Sequence, residues 1–426
     1  MKRNLLCFFI IFYSIVAVAQ KDCRQPEYQQ ALLRQFPHLQ AAFGKIEQFS
    51  KTPRFPFVTG GSIDSTVFPP APSPLPVPEK IIIPVVVHIV WNSSAQNISD
   101  AQVLSQLDVL NNDFNGLNAD RSRVPAYFSA LAADCGISFV LARKDPQGRP
   151  STGIVRKQTS LLSFGFDDKV KHAVTGGDDA WDAAAYLNIW VCNLVGGISG
   201  YASAPGSLAE TDGVVISTGV FGTLNRNGPF NRGRTAVHEI GHWLNLRHIW
   251  GDASCGDDKV DDTPPQAAAN RGCITGEKFS CGETAHGDMY MNFMDFSDDA
   301  CMYMFTKGQR QRMRVLFEAG GPRNSLLYSD ALSGEGLPVE SRLPGTGTDG
   351  ITLLLYPNPA SNSITLQFQN SNSLSSQLYI CNQLGQVVQT TRIISKQQQL
   401  DIGALQPGLY FIRLAGSAAT KKFVKQ

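Results

Sequence analysis

Three histidines and one glutamate that could form a metal site lie between His238 and His248, in a chain with 7 histidines in all. His238 and His242 are four residues apart, so on a helix their rings project from one face, one turn apart. His248 lies six residues further on, so the chain must leave the helix to present it. Such a set suits one tetrahedral Zn²⁺ ion with a fourth position left for water. Glu239, beside the first ligand, can reach that water as a general base.

This metal site is compatible with two classes of protein. A structural zinc site is closed by four protein ligands, whereas three histidines with an adjacent glutamate leave one position open. The pattern therefore favours catalysis, in which Glu239 takes a proton as water attacks a peptide carbonyl and returns it to the leaving amine. The alternative is a metal-stabilised surface adhesin or binding protein with little proteolytic activity.

The elements that must hold the histidines can be read from periodicity. Residues 235–245 predict the metal-binding helix, and Ser99 with Asp100 begins another whose apolar positions recur at helical spacing. Runs of β-branched residues predict buried strands at 81–91, 137–141, 187–192 and 214–216. The economical arrangement is an α+β domain, in which a twisted mixed sheet is backed by a long helix and carries the active-site helix.

Composition is that of a globular protein, with 43% apolar and 17% charged residues. The net charge of +1 predicts no nucleic-acid partner and no electrostatic attraction to membranes. Residues 1–19 are typical of a signal peptide, with Lys2 and Arg3 before an apolar stretch and small residues at its end. No later segment has membrane-spanning length, so we expect an exported protein without a membrane span when mature.

Shifts in composition divide the rest of the chain into four parts. Residues 20–79 join a helix-prone segment to a Pro-rich stretch, which is typical of a prosegment and its linker. Residues 80–328 carry the metal site, and residues 329–350, rich in Gly, Pro, Ser and Thr, predict a flexible linker. Residues 351–426 alternate short strands with turns and contain no histidine, which predicts a small β-sandwich.

Four cysteines follow the metal motif: Cys255, Cys273, Cys281 and Cys301. Export permits disulfides, and the absence of a CxxC pair favours two disulfides over a zinc site with four cysteine ligands. The spacing leaves three pairings open.

An acidic loop with four aspartates in six residues, 257–262, lies among these cysteines. Like charges this close repel one another unless solvent or a cation separates them. A solvated loop and a Ca²⁺ site built from carboxylates and carbonyls are the two interpretations.

With these features in view, residues 80–328 resemble the pappalysin family of metzincin zinc metalloproteases, in particular its bacterial, ulilysin-like members. The resemblance rests on the zinc consensus and on four further motifs: Val87-His88-Ile89-Val90, Leu110-Asn111-Asn112-Asp113-Phe114, Asp261-Asp262-Thr263-Pro264 and Tyr290-Met291-Asn292-Phe293. Asn245 departs from the glycine of most metzincins, but Asn is the other residue that best tolerates a left-handed conformation.

The resemblance implies a catalytic domain of the metzincin type, with Met291 as the methionine of a Met-turn that packs beneath the zinc ligands. Phe293 stands where the family usually has a tyrosine, so that hydroxyl is absent. The family pattern also implies the pairings Cys255–Cys281 and Cys273–Cys301, and Ca²⁺ in the acidic loop, for which the candidate ligands are Asp258, Asp261, Asp262 and Thr263.

The resemblance further implies that the enzyme cleaves protein or peptide substrates and is made as a latent zymogen. In bacterial relatives a prosegment cysteine caps the zinc, and Cys23 is the matching candidate here, although Arg24 follows it where the family usually has glycine. A free or disulfide-bonded thiol is the alternative for Cys23. Bacterial pappalysins often cleave before Arg or Lys, and Asp298 and Asp299 are the candidate acidic residues for such a pocket.

Residues 351–426 resemble the sorting domain of type IX secretion substrates. The resemblance rests on three short motifs and a basic end: Tyr356-Pro357-Asn358-Pro359, Gly385-Gln386-Val387, Leu405-Gln406-Pro407-Gly408-Leu409-Tyr410 and Lys421-Lys422-Phe423. It implies export through the periplasm of a Gram-negative bacterium to the cell surface or the medium, with the secretion machinery as partner. The alternative is an adhesion or carbohydrate-binding module that is retained in the mature enzyme.

Overall fold

The computed structural model describes residues 23–51, 77–282, 286–333, 352–369, 377–381, 387–392, 395–414 and 420–426. The predicted signal peptide, most of the Pro-rich stretch and most of the predicted linker at 329–350 lie outside the described residues. The chain divides into two compact units, residues 1–342 and 343–426. Among the described helices, none has both the length and the apolar character that a membrane span requires.

The first unit contains six helices and six strands within its described residues: α1 (Gln25–Gln35), α2 (Leu39–Lys51), β1 (Ile81–Trp91), α3 (Asp100–Phe114), α4 (Ala126–Ser129), β2 (Ile137–Leu141), β3 (Ile154–Gln158), β4 (Leu187–Cys192), β5 (Gly200–Ala202), β6 (Val214–Ser217), α5 (Arg234–Trp243) and α6 (Lys307–Arg314). The strands expected at 81–91, 137–141 and 187–192 have these bounds. The sequence patterns did not predict β3 or β5.

The six strands form one mixed sheet with the order β2-β1-β4-β6-β5, and β3 pairs with the second half of β1. All neighbours are parallel except β5, which pairs antiparallel with β6. The expectation of an α+β domain built on a mixed sheet is therefore confirmed. Strand β5, which is only three residues long, lies at the end of the sheet that adjoins the metal motif.

Helices α3 and α5 cover one face of this sheet and share one apolar core with it. Helix α3 begins at Ser99, whose hydroxyl accepts a hydrogen bond from the Gln102 backbone N–H at 3.2 Å. Its apolar positions Val103, Leu107 and Leu110 are buried against the sheet. Helix α5 is buried along its whole length, so the metal-binding helix lies inside the unit rather than on its surface.

The first residue of α5, Arg234, fixes the start of that helix. Its guanidinium, 4% exposed, donates to both carboxylate oxygens of Asp113 at 3.1 and 3.2 Å and to both oxygens of Asp120 at 2.7 Å. It also donates to the Asp299 carbonyl at 2.6 Å. Three separate segments are thereby tied to the end of the helix that carries the histidines.

The second unit consists of two antiparallel sheets, with the orders β10-β9-β12-β13 and β11-β8-β7. Their strands are β7 (Thr352–Tyr356), β8 (Ser363–Gln369), β9 (Gln377–Cys381), β10 (Val387–Arg392), β11 (Gln397–Asp401), β12 (Gly408–Leu414) and β13 (Thr420–Lys425). Residues of both sheets, among them Leu366 and Ile412, share one core. The expected β-sandwich is confirmed.

We predict that Arg234→Ala lowers the free energy of unfolding by roughly 3–5 kcal/mol, because the change leaves buried carboxylates without their cation. Urea denaturation measures the effect. Arg232→Ala is the matched control, since Arg232 also pairs with Asp120 but its side chain is 47% exposed, and it should cost less than about 1 kcal/mol. Equal losses in the two variants would contradict a structural role for buried Arg234.

Candidate active site

The turn after α5 brings the third histidine back to the first two. The helix ends at Trp243, and Asn245 adopts the left-handed conformation with φ 71°. The Asn245 N–H bonds to the His242 carbonyl and the Leu246 N–H to the Gly241 carbonyl, each at 2.9 Å. These are the two hydrogen bonds of a Schellman motif, which normally has glycine at the left-handed position. Asn245 therefore forms this turn, although most metzincins have glycine at that position.

Each of the three imidazole rings is oriented by a hydrogen bond from its Nδ1. The acceptors are the Phe293 carbonyl for His238 at 2.7 Å, the Leu246 carbonyl for His242 at 2.9 Å, and the Asp252 carboxylate for His248 at 2.5 Å. Carbonyls and carboxylates only accept, so each Nδ1 carries the proton. In neutral rings this places a lone pair, and no proton, on every Nε2.

Those three lone pairs point toward one another. The His242 Nε2 lies 3.1 Å from the His238 Nε2 and 3.2 Å from the His248 Nε2. Acceptors this close repel unless a cation lies among them, and three neutral imidazoles are the ligand set of catalytic zinc sites. The residues present therefore fit a metal ion held by His238, His242 and His248, all of which are buried.

Cys23 of the N-terminal segment lies in the same cluster. Its Sγ is 3.5 Å from the His242 Nε2 and 3.6 Å from the Glu239 Oε2, and the thiol is 4% exposed. In the part of the chain that the structure describes, this thiol and the three histidines are the one group of His, Cys, Asp and Glu side chains close enough to share a metal ion. The backbone of Cys23 forms a parallel bridge with Gly200 of β5.

Glu239 is fully buried on α5 and lies against the edge strand β5. A Cβ added at Gly200 would come within 2.9 Å of the Glu239 Cγ and 3.1 Å of its Oε1. Such contacts are too short for any side chain, so Gly200 allows the strand to pass directly beside the carboxylate. A peptide paired with β5 would therefore run past Glu239.

The stretch that contains Met291 contacts the segment after His248 and orients the ring of His238. Met291 is fully buried in one apolar cluster with Ile249, the residue that follows His248. The Phe293 N–H bonds to the Met304 carbonyl at 3.0 Å, which fixes the carbonyl that receives His238. The Phe293 ring packs on Phe305 in the core. The role of Met291 as the Met-turn methionine stays a prediction.

Sequence reasoning missed the groups that orient the imidazoles. Two of them are backbone carbonyls, which no residue type identifies. Asp252 could have been found, because a carboxylate four residues after a proposed ligand is a common partner of metal-bound histidine. Trp250 also went unnoticed: its ring stacks on His248, with centroids 4.3 Å apart and planes 6° from parallel.

Two disulfides brace the loop after the metal motif, Cys255–Cys281 and Cys273–Cys301. These are the pairings that the family resemblance implied. The alternative of a zinc site with four cysteine ligands is wrong, because both pairs are bonded. Cys135 and Cys192 are buried and free, and burial raises the pKa of Cys135 to about 12, so this thiol is unreactive.

The aspartates of the acidic loop form local hydrogen bonds. Both Asp258 oxygens accept from the Thr263 hydroxyl at 2.9 Å, and burial raises the Asp258 pKa to about 7. Asp262 accepts from the Thr306 hydroxyl at 2.6 Å and from the Gly308 N–H at 2.8 Å, at the start of α6. Asp261 is exposed. Calcium binding by Asp258, Asp261, Asp262 and Thr263 stays a prediction.

The two candidate acids for a substrate pocket have different environments. The Asp299 carboxylate is fully buried and accepts from the backbone N–H groups of Arg232 at 2.8 Å and Arg234 at 3.2 Å. It therefore caps α5 and is not presented to a substrate. Asp298 is partly exposed, two residues past Phe296, whose ring packs on His238 and His248. Burial raises the pKa of Asp298.

Comparison with known proteins agrees with this geometry. The family model described as pregnancy-associated plasma protein-A matches residues 170–318, and the model of the secretion system C-terminal sorting domain matches residues 354–426. An extracellular metalloprotease of Pyricularia oryzae is 35% identical over 246 residues, which cover 54% of this chain and 73% of the relative.

Two solved structures of Tannerella forsythia proteins are also similar. Mature mirolysin in complex with a cleaved peptide has 48% sequence identity and a TM-score of 0.59, and the match covers 60% of this chain and 99% of that chain. A promirolysin mutant has 41% identity and a TM-score of 0.64, with coverage of 74% of this chain and all of the other.

Fold, site and relatives together define an extracellular metalloprotease with a catalytic metal site. The chain belongs to the pappalysin family and carries a C-terminal sorting domain of the type IX secretion system.

Proposed function

We propose that this protein is a zinc endopeptidase in which His238, His242 and His248 hold the metal and Glu239 is the general base. The observation that carries the proposal is the convergence of three Nε2 lone pairs beside a buried carboxylate. When bound there, zinc lowers the pKa of a coordinated water and polarises the peptide carbonyl. The adhesin alternative requires a fourth protein ligand, and Cys23 supplies one only while the N-terminal segment is attached.

The chain's own residues account for the movement of the proton. Glu239 takes a proton from the attacking water and, after the carbonyl becomes tetrahedral, passes it to the leaving nitrogen. Asp252 and the Phe293 carbonyl keep the rings in the tautomer whose Nε2 faces inward. A peptide added to β5 would present its scissile bond to Glu239, because Gly200 leaves the approach open.

We predict that Glu239→Gln lowers kcat/KM on casein by about 10²–10⁴-fold, because the amide cannot take the proton. Metal content, measured by mass spectrometry of the folded protein, should stay at one zinc per chain. Glu210→Gln is the control, since Glu210 is exposed in a short 3₁₀ helix, and the change should leave the rate unchanged. Wild-type activity in Glu239→Gln would refute the assignment of the base, and loss of zinc would show that Glu239 is needed to bind it.

We further propose that residues 20–79 keep the enzyme latent, with Cys23 as the fourth zinc ligand. Other contacts support the placement of this segment: Glu47 of α2 pairs with Arg312 through two hydrogen bonds of 2.7 and 3.2 Å. Burial opposes ionisation of Glu47, but the Arg312 hydrogen bonds and charge outweigh it and lower the Glu47 pKa. Ser50 accepts from the side-chain amide of Asn245 at 3.0 Å. The similar promirolysin structure is, by its title, a precursor form.

Cys23→Ala should make the uncleaved, zinc-loaded chain active and speed its processing, because a thiolate then no longer fills the position that water needs. The measurement is hydrolysis of a quenched peptide by freshly purified full-length protein, with gel analysis of processing. Cys135→Ala also removes a buried free thiol, but one outside the metal cluster, and should stay latent. Unchanged latency and processing in Cys23→Ala would overturn the proposal.

A preference for Arg or Lys after the scissile bond is proposed for Asp298 alone, since Asp299 is engaged by the backbone. Asp298→Asn should lower kcat/KM for such peptides by about 10-fold, the equivalent of roughly 1.4 kcal/mol, and leave peptides with leucine there unaffected. Asp257→Asn, which removes an exposed charge from the acidic loop, is the matched control. Preference for apolar residues at that position in the wild-type enzyme would end the proposal.

We also propose that the protein is secreted through the periplasm of a Gram-negative bacterium. The outer-membrane secretion machinery is then the partner of its C-terminal unit. The match of residues 354–426 to the sorting-domain model supports this route. Removal of the unit at the surface is the expected last step, and a retained adhesion or carbohydrate-binding module is the alternative.

A further inference from the structure

The side chain of Tyr28, on α1, is buried within the catalytic part of the chain. It is 3% exposed, and its ring lies 4.9 Å from that of Tyr201 on β5. It belongs to one apolar cluster with Tyr201, Trp190 of β4 and Val170. Tyr28, a residue of the proposed prosegment, therefore occupies a space that is lined by residues of the predicted catalytic domain.

The Tyr28 hydroxyl reaches a charged group at the bottom of this space. It donates to the Asp168 Oδ2 at 2.7 Å, and it lies 3.4 Å from the Nζ of Lys171. Burial and the neighbouring charge of Asp168 raise the pKa of Tyr28 well above its usual value. The hydroxyl therefore keeps its proton and acts as a hydrogen-bond donor.

The two buried charges at the bottom of this space, Lys171 and Asp168, stay paired with each other without Tyr28. Lys171, fully buried, pairs with Asp168 at 2.9 Å and donates to the Ser203 hydroxyl at 2.9 Å and to the Thr211 carbonyl at 2.8 Å. If Tyr28 leaves, the lysine keeps these partners and Asp168 loses one donor. What remains is a pocket with aromatic walls, Tyr201 and Trp190, and a carboxylate whose Oδ2 has lost the Tyr28 donor.

The pocket lies beside the edge of β5, along which a peptide substrate would bind. Gly200, next to Glu239, is the immediate neighbour of Tyr201 on β5. Side chains alternate along a strand, so Tyr201 points to the face of the sheet opposite α5. A peptide added to this edge also alternates its side chains between the two faces. One that is cleaved at Glu239 must present a side chain to the pocket within a few residues of the scissile bond.

We propose that the space vacated by Tyr28 is a substrate subsite that selects tyrosine. This inference rests on the proposed function, in which the prosegment is removed and peptide bonds are hydrolysed beside Glu239. Phenylalanine fits the aromatic walls but leaves the Asp168 Oδ2 without the hydroxyl donor, and leucine also loses the ring contact with Tyr201. A lysine or arginine would bring a second cation against buried Lys171.

The test is a peptide library cleaved by enzyme that is produced as the full-length chain and then activated. Mass spectrometry identifies every cleavage site. Tyrosine should be enriched at one fixed position relative to the scissile bond, by roughly 10-fold over phenylalanine in kcat/KM, in keeping with a buried hydrogen bond to a charged acceptor. No enrichment of tyrosine at any position would overturn the subsite, while absence of all cleavage would instead overturn the proposed function.

Asp168→Asn tests the acceptor directly, because the amide is a weaker acceptor and the tyrosine-to-phenylalanine ratio should fall toward one. Asp167→Asn is the matched control: its side chain is 47% exposed and paired with Lys169, and the ratio should not change. Thermal unfolding shows whether Asp168→Asn is folded. An unaltered ratio in folded Asp168→Asn would contradict the role of this carboxylate, and the wild-type profile decides the existence of the subsite if that variant does not fold.

Discussion

The arrangement of the site depends on three imidazole nitrogens with lone pairs facing inward, in which the His242 Nε2 lies about one hydrogen-bond length from those of His238 and His248. Left alone, that arrangement is repulsive, and three Nδ1 hydrogen bonds keep it in place. The acceptors come from the end of α5, from the loop after His248 and from the stretch after Met291. Precise convergence for a metal thus requires three segments to be packed correctly at once.

Other features of the first unit serve to keep those segments in place. Gly241 approaches Met294 so closely that an added Cβ would be 2.5 Å from its sulfur, and this contact sets the helix against the Met291 stretch. Arg234 fixes the opposite end of α5, and two disulfides confine the chain between His248 and that stretch. Packing of this kind buries Glu239, and a charged group acts more strongly on a reacting group where bulk water is excluded.

Sequence patterns predicted the parts of the fold that bury continuous apolar surface. The β-branched runs of β1 and β4 and the periodic face of α3 are of this kind. Strand β5 was missed because three residues beginning with glycine carry no pattern, and β3 because three of the five residues in Ile154–Gln158 are polar. The spacing of the histidines indicated the ligands, but their carbonyl partners could not be read from residue types. The aspartates after Gly256 suggested a cation, whereas the observed contacts of Asp258 and Asp262 are with hydroxyl and N–H donors.

The distance along the chain between His238 and the carbonyl that orients it has a consequence for the order of folding and metal binding. The ligands span residues 238–248, but His238 is oriented by the carbonyl of Phe293. An unfolded chain can offer the same three imidazoles, yet it cannot bring the Phe293 carbonyl to His238, so its hold on a metal ion is weaker. Tight metal uptake is therefore coupled to tertiary folding and comes late: the ion completes a folded enzyme rather than nucleating it. A chain that crosses a membrane unfolded would therefore acquire its metal ion only after it folds on the other side.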